Sequence, residues 1–283
     1  MLKQSPSGIP YVDWGGEGPT LHIAHANGFP PATYTHLAER LVSQHRVLGM
    51  ECRALWPGQQ PADLRHWRQF GQDLTQFLRD LDLGRVTLCG HSLGAVVSLY
   101  CAAANPELVG QLILIDPVIL PPWIALLWAA AMPLGLGSRS PLASGARRRR
   151  TEWPNRSTAL RAYRTAPAFR LWRPPFLQDY VDSAFEDTAQ GTVRLRYSAE
   201  WESRVFATAP PDVWLQLPKL RDKEVLVIRG QSSNTFRPDA LRWMRRLLPA
   251  ATYLEIRDAD HFVPMSQPEA TAKCIQESLA TQS

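Results

Sequence analysis

The chain has 283 residues, of which 45% are hydrophobic and 20% charged, with a formal net charge of +5. That length is ample for a sizeable core and suits one large α/β domain carrying an insertion, or two small domains. Four cysteines are scattered without a CxxC pair, and the N-terminus lacks a basic region followed by an apolar run, so the expectation is a cytoplasmic protein with thiols acting as small hydrophobes.

In chain order, Gly8–Trp14 and Thr20–Ala24 read as two strands joined by Gly15-Gly16-Glu17-Gly18-Pro19, a predicted N-terminal hairpin. The loop His25-Ala26-Asn27-Gly28-Phe29-Pro30-Pro31 follows, then a helix over roughly 33–43 and a strand over 46–52. Between 64 and 81, Trp67, Phe70, Leu74, Phe77, Leu78 and Leu81 recur at helical spacing. Val86–Cys89 is a short apolar strand that runs into Gly90-His91-Ser92-Leu93-Gly94 and then a run of small and apolar residues. Gln111–Asp116 is the next strand, closed by Asp116-Pro117. Strand and helix alternate this far, which predicts a mostly parallel twisted sheet with helices on both faces.

The alternation stops at Val118 and returns with strand 225–229, helix 239–248, strand 252–256 and helix 269–279. Residues 118–218 hold six of the ten tryptophans and the run Arg147-Arg148-Arg149-Arg150. Residues 117–218 carry 13 Arg against 8 Asp and Glu, while the rest of the chain balances at 18 against 18. The whole charge excess therefore sits in one segment. The expected layout is a core of 1–117 and 219–283 interrupted by a mostly helical insert, 118–218. The longest apolar stretch, Trp123–Met132, is too short to span a bilayer.

Gly-x-Ser-x-Gly between an apolar strand and a helix is a nucleophile elbow. The turn is so sharp that Ser92 must take a strained backbone conformation, and a Cβ at 90 or 94 would collide with its neighbours. In return the hydroxyl projects clear of the sheet at a helix N-terminus, whose free N–H groups face developing negative charge.

With the loop His25–Pro30, the elbow Gly90–Gly94, the segment Val225–Phe236 and His261-Phe262-Val263-Pro264 in this order, the chain resembles the α/β-hydrolase superfamily over nearly its whole length. It is similar in particular to bacterial hydrolases with an Arg-x-Leu-Trp-Pro-Gly loop, here Arg53–Gly58. The resemblance implies an α/β-hydrolase fold in which the insert is a helical cap. It implies Ser92 as nucleophile and His261 as its base, in the chain order Ser, acid, His. For the acid, the family position four residues after Gly230 holds Asn234, and an amide there would hold the imidazole in the wrong tautomer. Asp116, at the end of the strand beside the elbow strand, is the first candidate, with Asn234 the alternative orienter and Asp239 a further one. The Leu93 N–H is expected to hold the oxyanion together with the Phe29 N–H, Gly28 permitting the bend. A plain Asn-Gly turn is the competing reading of that loop. His25 and His91 read as braces for these loops.

Trp123, Ile124, Leu126, Leu127 and Trp128 would roof an apolar pocket or else form the core of the insert, and Trp56, Trp201 and Trp214 are open in the same way. No ligand-spaced metal cluster or Gly-x-Gly-x-x-Gly occurs, so no cofactor and no metal are inferred. The arginine run reads as a solvated loop, with an anionic substrate or peripheral contact with a membrane surface as alternatives; no nucleic-acid motif accompanies it. The resulting expectation is a serine hydrolase acting on a small-molecule carboxylic ester with an apolar part, the oligomeric state being open. Carbon–carbon, thioester or lactone hydrolysis on the same residues, or a catalytically weak binding protein, are the alternatives.

Overall fold

The computed structural model describes residues 2–280. In chain order its strands are β1 (Leu2–Gln4), β2 (Pro10–Gly15), β3 (Thr20–Ala24), β4 (Arg46–Met50), β5 (Val86–His91), β6 (Val109–Ile115), β7 (Glu152–Trp153), β8 (Phe185–Asp187), β9 (Val193–Leu195), β10 (Glu224–Gly230) and β11 (Thr252–Ile256). Eight of them make one sheet in the order β1-β2-β4-β3-β5-β6-β10-β11, and β7-β9-β8 make a second, antiparallel one. From β4 through β11 every pairing in the large sheet is parallel; β1 and β2 form its antiparallel end. All six residues of β5 are buried, as a central parallel strand covered on both faces requires.

Each face of the sheet has its own core. On one, the helix Arg68–Asp80 turns Phe70, Leu74, Phe77 and Leu78 inward and packs on the helix Leu93–Ala104. Every residue from Leu93 to Ala102 is buried, so this helix is apolar all round because it has no solvent side. A Cβ on Gly71 would stand 2.9 Å from that of Tyr100, which is why the two helices can approach so closely. On the other face, the terminal helix Pro268–Ala280 packs with Tyr34, Leu37 and Leu41.

The predicted hairpin does not form. β2 pairs antiparallel with β4, and β4 pairs parallel with β3, so β4 lies between the two expected partners. The glycine-rich connection folds against the segment leading into β4: a Cβ on Gly16 would lie 2.0 Å from the His45 carbonyl oxygen, and one on Gly18 2.7 Å from that of Gln44. β2 forms a hairpin with β1 instead, a strand the sequence pattern does not mark. The helix expected over 33–43 is likewise shorter, a 3-10 turn Pro31–Tyr34 followed by Thr35–Ala38.

Between β6 and β10 the chain leaves the large sheet. The interval contains the helices Pro122–Ala131, Pro141–Arg147, Arg156–Thr165, Pro174–Ala184 and Ala199–Ala207, together with the small sheet, so it is helical with an antiparallel ribbon that the sequence reading does not include. No helix among the described residues is long and apolar enough to cross a membrane.

Three buried histidines tie the strand ends together. The Met50 N–H donates to His22 Nε2 and the Cys52 N–H to His25 Nε2, both at 3.0 Å. His25 Nδ1–H donates to the Ala26 carbonyl at 2.8 Å. The Tyr34 hydroxyl accepts from Ala26 N–H and donates to His91 Nδ1, whose Nε2–H in turn donates to the His261 carbonyl. Each of the three rings accepts a hydrogen on one nitrogen (His22 and His25 on Nε2, His91 on Nδ1), which requires a neutral imidazole. Burial pushes His22 and His91 down to about 3 and His25 to about 4. The unfolded chain takes up these protons below pH 6.5 and the folded chain does not, so stability is full above that pH and falls as pH drops toward 4. The loss approaches about 1.4 kcal/mol per pH unit for each histidine. Urea unfolding at pH 7 and pH 5 should show the midpoint fall steeply, and His22→Gln should flatten the dependence; equal midpoints at the two pH values would refute it.

Candidate active site

The elbow is built by contacts that leave no room for side chains. Ser92 sits at φ 58° and ψ −115°, between the end of β5 and the first turn of the helix Leu93–Ala104. A Cβ on Gly90 would lie 2.3 Å from the Gly94 carbonyl oxygen, and one on Gly94 2.0 Å from that of Ala24. Both glycines are therefore required by close backbone approach. Ser92 N–H donates to the Ile115 carbonyl at 3.0 Å, which fixes the serine against the end of β6.

Asp116 follows directly, at φ 42° and with no exposure to solvent. A buried carboxylate must be met by donors, and three reach it. Gly230 N–H donates to Oδ1 at 3.0 Å, Ser233 Oγ–H to Oδ2 at 2.6 Å, and His261 Nδ1–H to Oδ2 at 2.8 Å. With Nδ1 carrying the proton, His261 Nε2 presents its lone pair to Ser92 Oγ at 2.9 Å. This is the geometry in which an imidazole withdraws a proton from a hydroxyl while its cationic form is stabilised from behind.

Residues expected from sequence at this point are thus brought together in three cases out of five. Ser92, His261 and Asp116 form one chain of hydrogen bonds. Asn234 does not join it: the side chain is exposed and its Oδ1 accepts from Thr235 Oγ1 at 3.5 Å. Asp239 is also elsewhere, accepting from Ala240 N–H and from Arg237. Sequence reasoning missed Ser233, whose hydroxyl donates to Asp116 while accepting from the Thr235 and Phe236 N–H groups. The signal was its place next to Asn234, in the loop that by resemblance carries the acid.

Leu93 is the first residue of its helix, so no earlier carbonyl of that helix can accept from its N–H. Phe29 N–H donates to the Ala26 carbonyl at 3.2 Å, closing a turn with Gly28 at φ 82°. The loop thus contains the expected tight bend at Gly28, with the Phe29 N–H as the donor that closes it. Beside it stands the helix Ala199–Ala207. Asn27 Nδ2–H donates to the Glu202 carbonyl at 3.3 Å, and a Cβ on Gly28 would lie 3.6 Å from the Glu202 carboxyl carbon.

The Phe29 side chain reaches into an aromatic group shared between the core and the interval after β6. Its ring centroid lies 5.1 Å from Tyr180, 5.4 Å from Trp172 and 5.4 Å from Phe262, the residue after His261. The arginine run meets this group rather than solvent alone. Arg149 turns inward, pairs with Glu202 and donates to the hydroxyls of Tyr163 and Tyr180, each at 3.1 Å. Arg147 donates to Ser203 Oγ, and Arg150 stacks over the Trp153 ring. The expectation of a uniformly solvated loop is therefore wrong at Arg149. Trp123 and Leu127, expected to roof a pocket, are exposed, because their helix turns Ala125 inward instead. Trp56 packs against the core cluster behind the sheet and donates to the Glu51 carbonyl at 2.7 Å. No group of His, Cys, Asp and Glu able to hold a metal occurs among the described residues.

Residues 23–273 match the alpha/beta hydrolase family. A 2-(acetamidomethylene)succinate hydrolase of Mesorhizobium japonicum is 26% identical over 262 residues, covering 92% of this chain and 87% of that protein. The crystal structure of an E-2-(acetamidomethylene)succinate hydrolase superposes with a TM-score of 0.80 at 20% identity over 99% of both chains. A thioesterase domain from the curacin biosynthetic pathway gives 0.75 at 18% identity over 98% of both. With a mostly parallel sheet, an elbow at the end of its central strand and a match over most of its length, the chain belongs to the alpha/beta hydrolase family.

Proposed function

We propose that this hydrolase cleaves a carboxylic ester of a small molecule with an apolar part, through an acyl-enzyme on Ser92. The single observation that carries the reading is the His261 ring held between Ser92 Oγ at 2.9 Å and Asp116 Oδ2 at 2.8 Å. Ser92 Oγ adds to the substrate carbonyl as His261 Nε2 takes its proton. Asp116 fixes the tautomer and stabilises the imidazolium. The Leu93 N–H, at the positive end of its helix, faces the oxyanion. His261 then returns the proton to the leaving alcohol, takes one from an incoming water, and the acyl group departs as the acid. In this reading residues 118–218 are a cap over a core of 1–117 and 219–283. The Phe262 ring, 5.2 Å from that of His261 and packed on Phe29 and Trp172, supports an apolar group beside the scissile bond.

A second reading, hydrolysis of an amide, is favoured by one finding. The relative that matches 92% of the chain is named for 2-(acetamidomethylene)succinate, whose acetamido group presents a carbon–nitrogen bond to the same constellation.

A fluorophosphonate probe should label the wild type and leave Ser92→Ala unlabelled; labelling that survives in Ser92→Ala would sink the mechanism. Turnover of a p-nitrophenyl ester should fall about 10⁴-fold in Asp116→Asn and change by less than about twofold in Asn234→Ala, an exposed site. The reverse pattern would give the orienting role to residue 234. A p-nitrophenyl chain-length series run beside 2-(acetamidomethylene)succinate separates the two readings: higher kcat/KM on the latter favours the amide.

A further inference from the structure

The helix Pro122–Ala131 and the turn Met132–Leu134 carry an apolar stripe on the side away from the protein. Trp123 is 58% exposed, Leu126 73%, Leu127 63% and Leu134 74%, with Ala130 exposed between them. Positions 123, 126, 127, 130 and 134 share one helix face, where an ordinary surface helix places polar groups. The inward face, centred on Ala125, is apolar as well. Beside the stripe lies an open apolar groove of about 440 Å³, shared by Leu126, Trp214, Leu215 and Trp243.

The charge around this face is predominantly positive. Residues 117–151 contain five arginines and no acidic residue. Arg139 and Arg148 are exposed after the stripe, and Arg242 and Arg246 are exposed beside Trp243 on the helix Pro238–Leu247, Arg246 stacking over the Trp243 ring. None of these four makes an ion pair among the described residues, whereas Asp212, on the groove wall, is already engaged by Arg68 and His66.

We propose that this face docks on the surface of an anionic lipid bilayer, the stripe entering the headgroup boundary and the unpaired arginines meeting lipid phosphates. An outward Trp-Leu stripe flanked by arginines, on a helix too short to span, is the pattern of an element that lies in the interface plane. A second copy fits less well, since a two-fold contact would set these arginines against those of the other chain. The proposal is independent of the reaction at Ser92.

Co-sedimentation of the full chain with phosphatidylcholine vesicles, with and without about a quarter phosphatidylglycerol, tests it. Binding is expected to the anionic vesicles, at least about tenfold stronger than to neutral ones and weakened by high salt. The double variant Leu126→Glu, Leu134→Glu should lose about tenfold or more while keeping the wild-type melting temperature. Equal sedimentation with both vesicles, or none with either, overturns the proposal. So does a wild-type dimer that the double variant converts to monomer, which would make a second copy the occupant. Should the variant melt early, Arg242→Gln with Arg246→Gln takes its place, and undiminished binding by that variant also overturns it.

Discussion

The arrangement at the sheet's edge depends on one carboxylate being fully removed from water and fully satisfied. Asp116 accepts from the backbone of β10, from a hydroxyl in the following loop and from the imidazole of His261. An isolated buried carboxylate would be expelled or protonated, so these donors and the acid hold one another in place. The constraint runs both ways along the chain. Asp116 N–H donates to the Ile228 carbonyl at 2.7 Å, which locks the end of β6 to β10 before the side chain is considered. A histidine 145 residues further on then has one productive orientation, because its second nitrogen is left facing Ser92.

The same logic explains why the loop after β10 can dispense with an acid at 234. That loop has two ways to serve the imidazole: directly, through its own carboxylate, or indirectly, by supporting the carboxylate that follows β6. Ser233 does the second. Its hydroxyl gives its hydrogen to Asp116 and accepts two backbone N–H groups from residues 235 and 236, so the loop is pinned to the acid as firmly as if it carried one. Asn234 is then free to face solvent.

What was legible in the sequence was what local sterics or strand position dictate. The elbow was readable because the turn itself leaves no room for a Cβ at Gly90, although the clash that demands Gly94 comes from Ala24 at the end of the neighbouring strand β3. Asp116 was readable as the residue closing the strand beside the elbow strand. The parallel sheet followed from alternating elements. By contrast, the pairing of β2 with β4 depends on which chain segment covers the Gly16–Gly18 connection, a non-local choice that hydrophobic alternation does not encode. Four consecutive arginines look equivalent in one dimension, yet they lie where a helix ends, so their side chains leave in different directions. One enters a pocket of tyrosines, another covers a tryptophan, and a third is exposed. The facing of Trp123 and Leu127 was hidden for a related reason: a helix apolar on every side has no periodicity from which to tell inside from outside.

That last ambiguity has a physical consequence for how the segment between β6 and β10 is held. The segment after β6 attaches to the core through aromatic rings, through the Glu202 carbonyl, through the Arg196–Glu51 ion pair and through Trp67, whose Nε1–H donates to the Val205 carbonyl. Phe29 contacts Trp172 and Tyr180, while Arg149 gathers Tyr163, Tyr180 and Glu202 next to the Asn27-Gly28 turn. A buried ion pair of this kind adds little net stability but fixes geometry, since either partner alone would be an uncompensated charge. The first helix is tied differently, at its far end, by Trp128 Nε1–H donating to the Ala209 carbonyl at 2.7 Å. Anchoring by the inward face alone leaves the outward apolar stripe without any role in holding the fold. A feature that costs solubility and contributes nothing to packing needs an explanation outside the monomer.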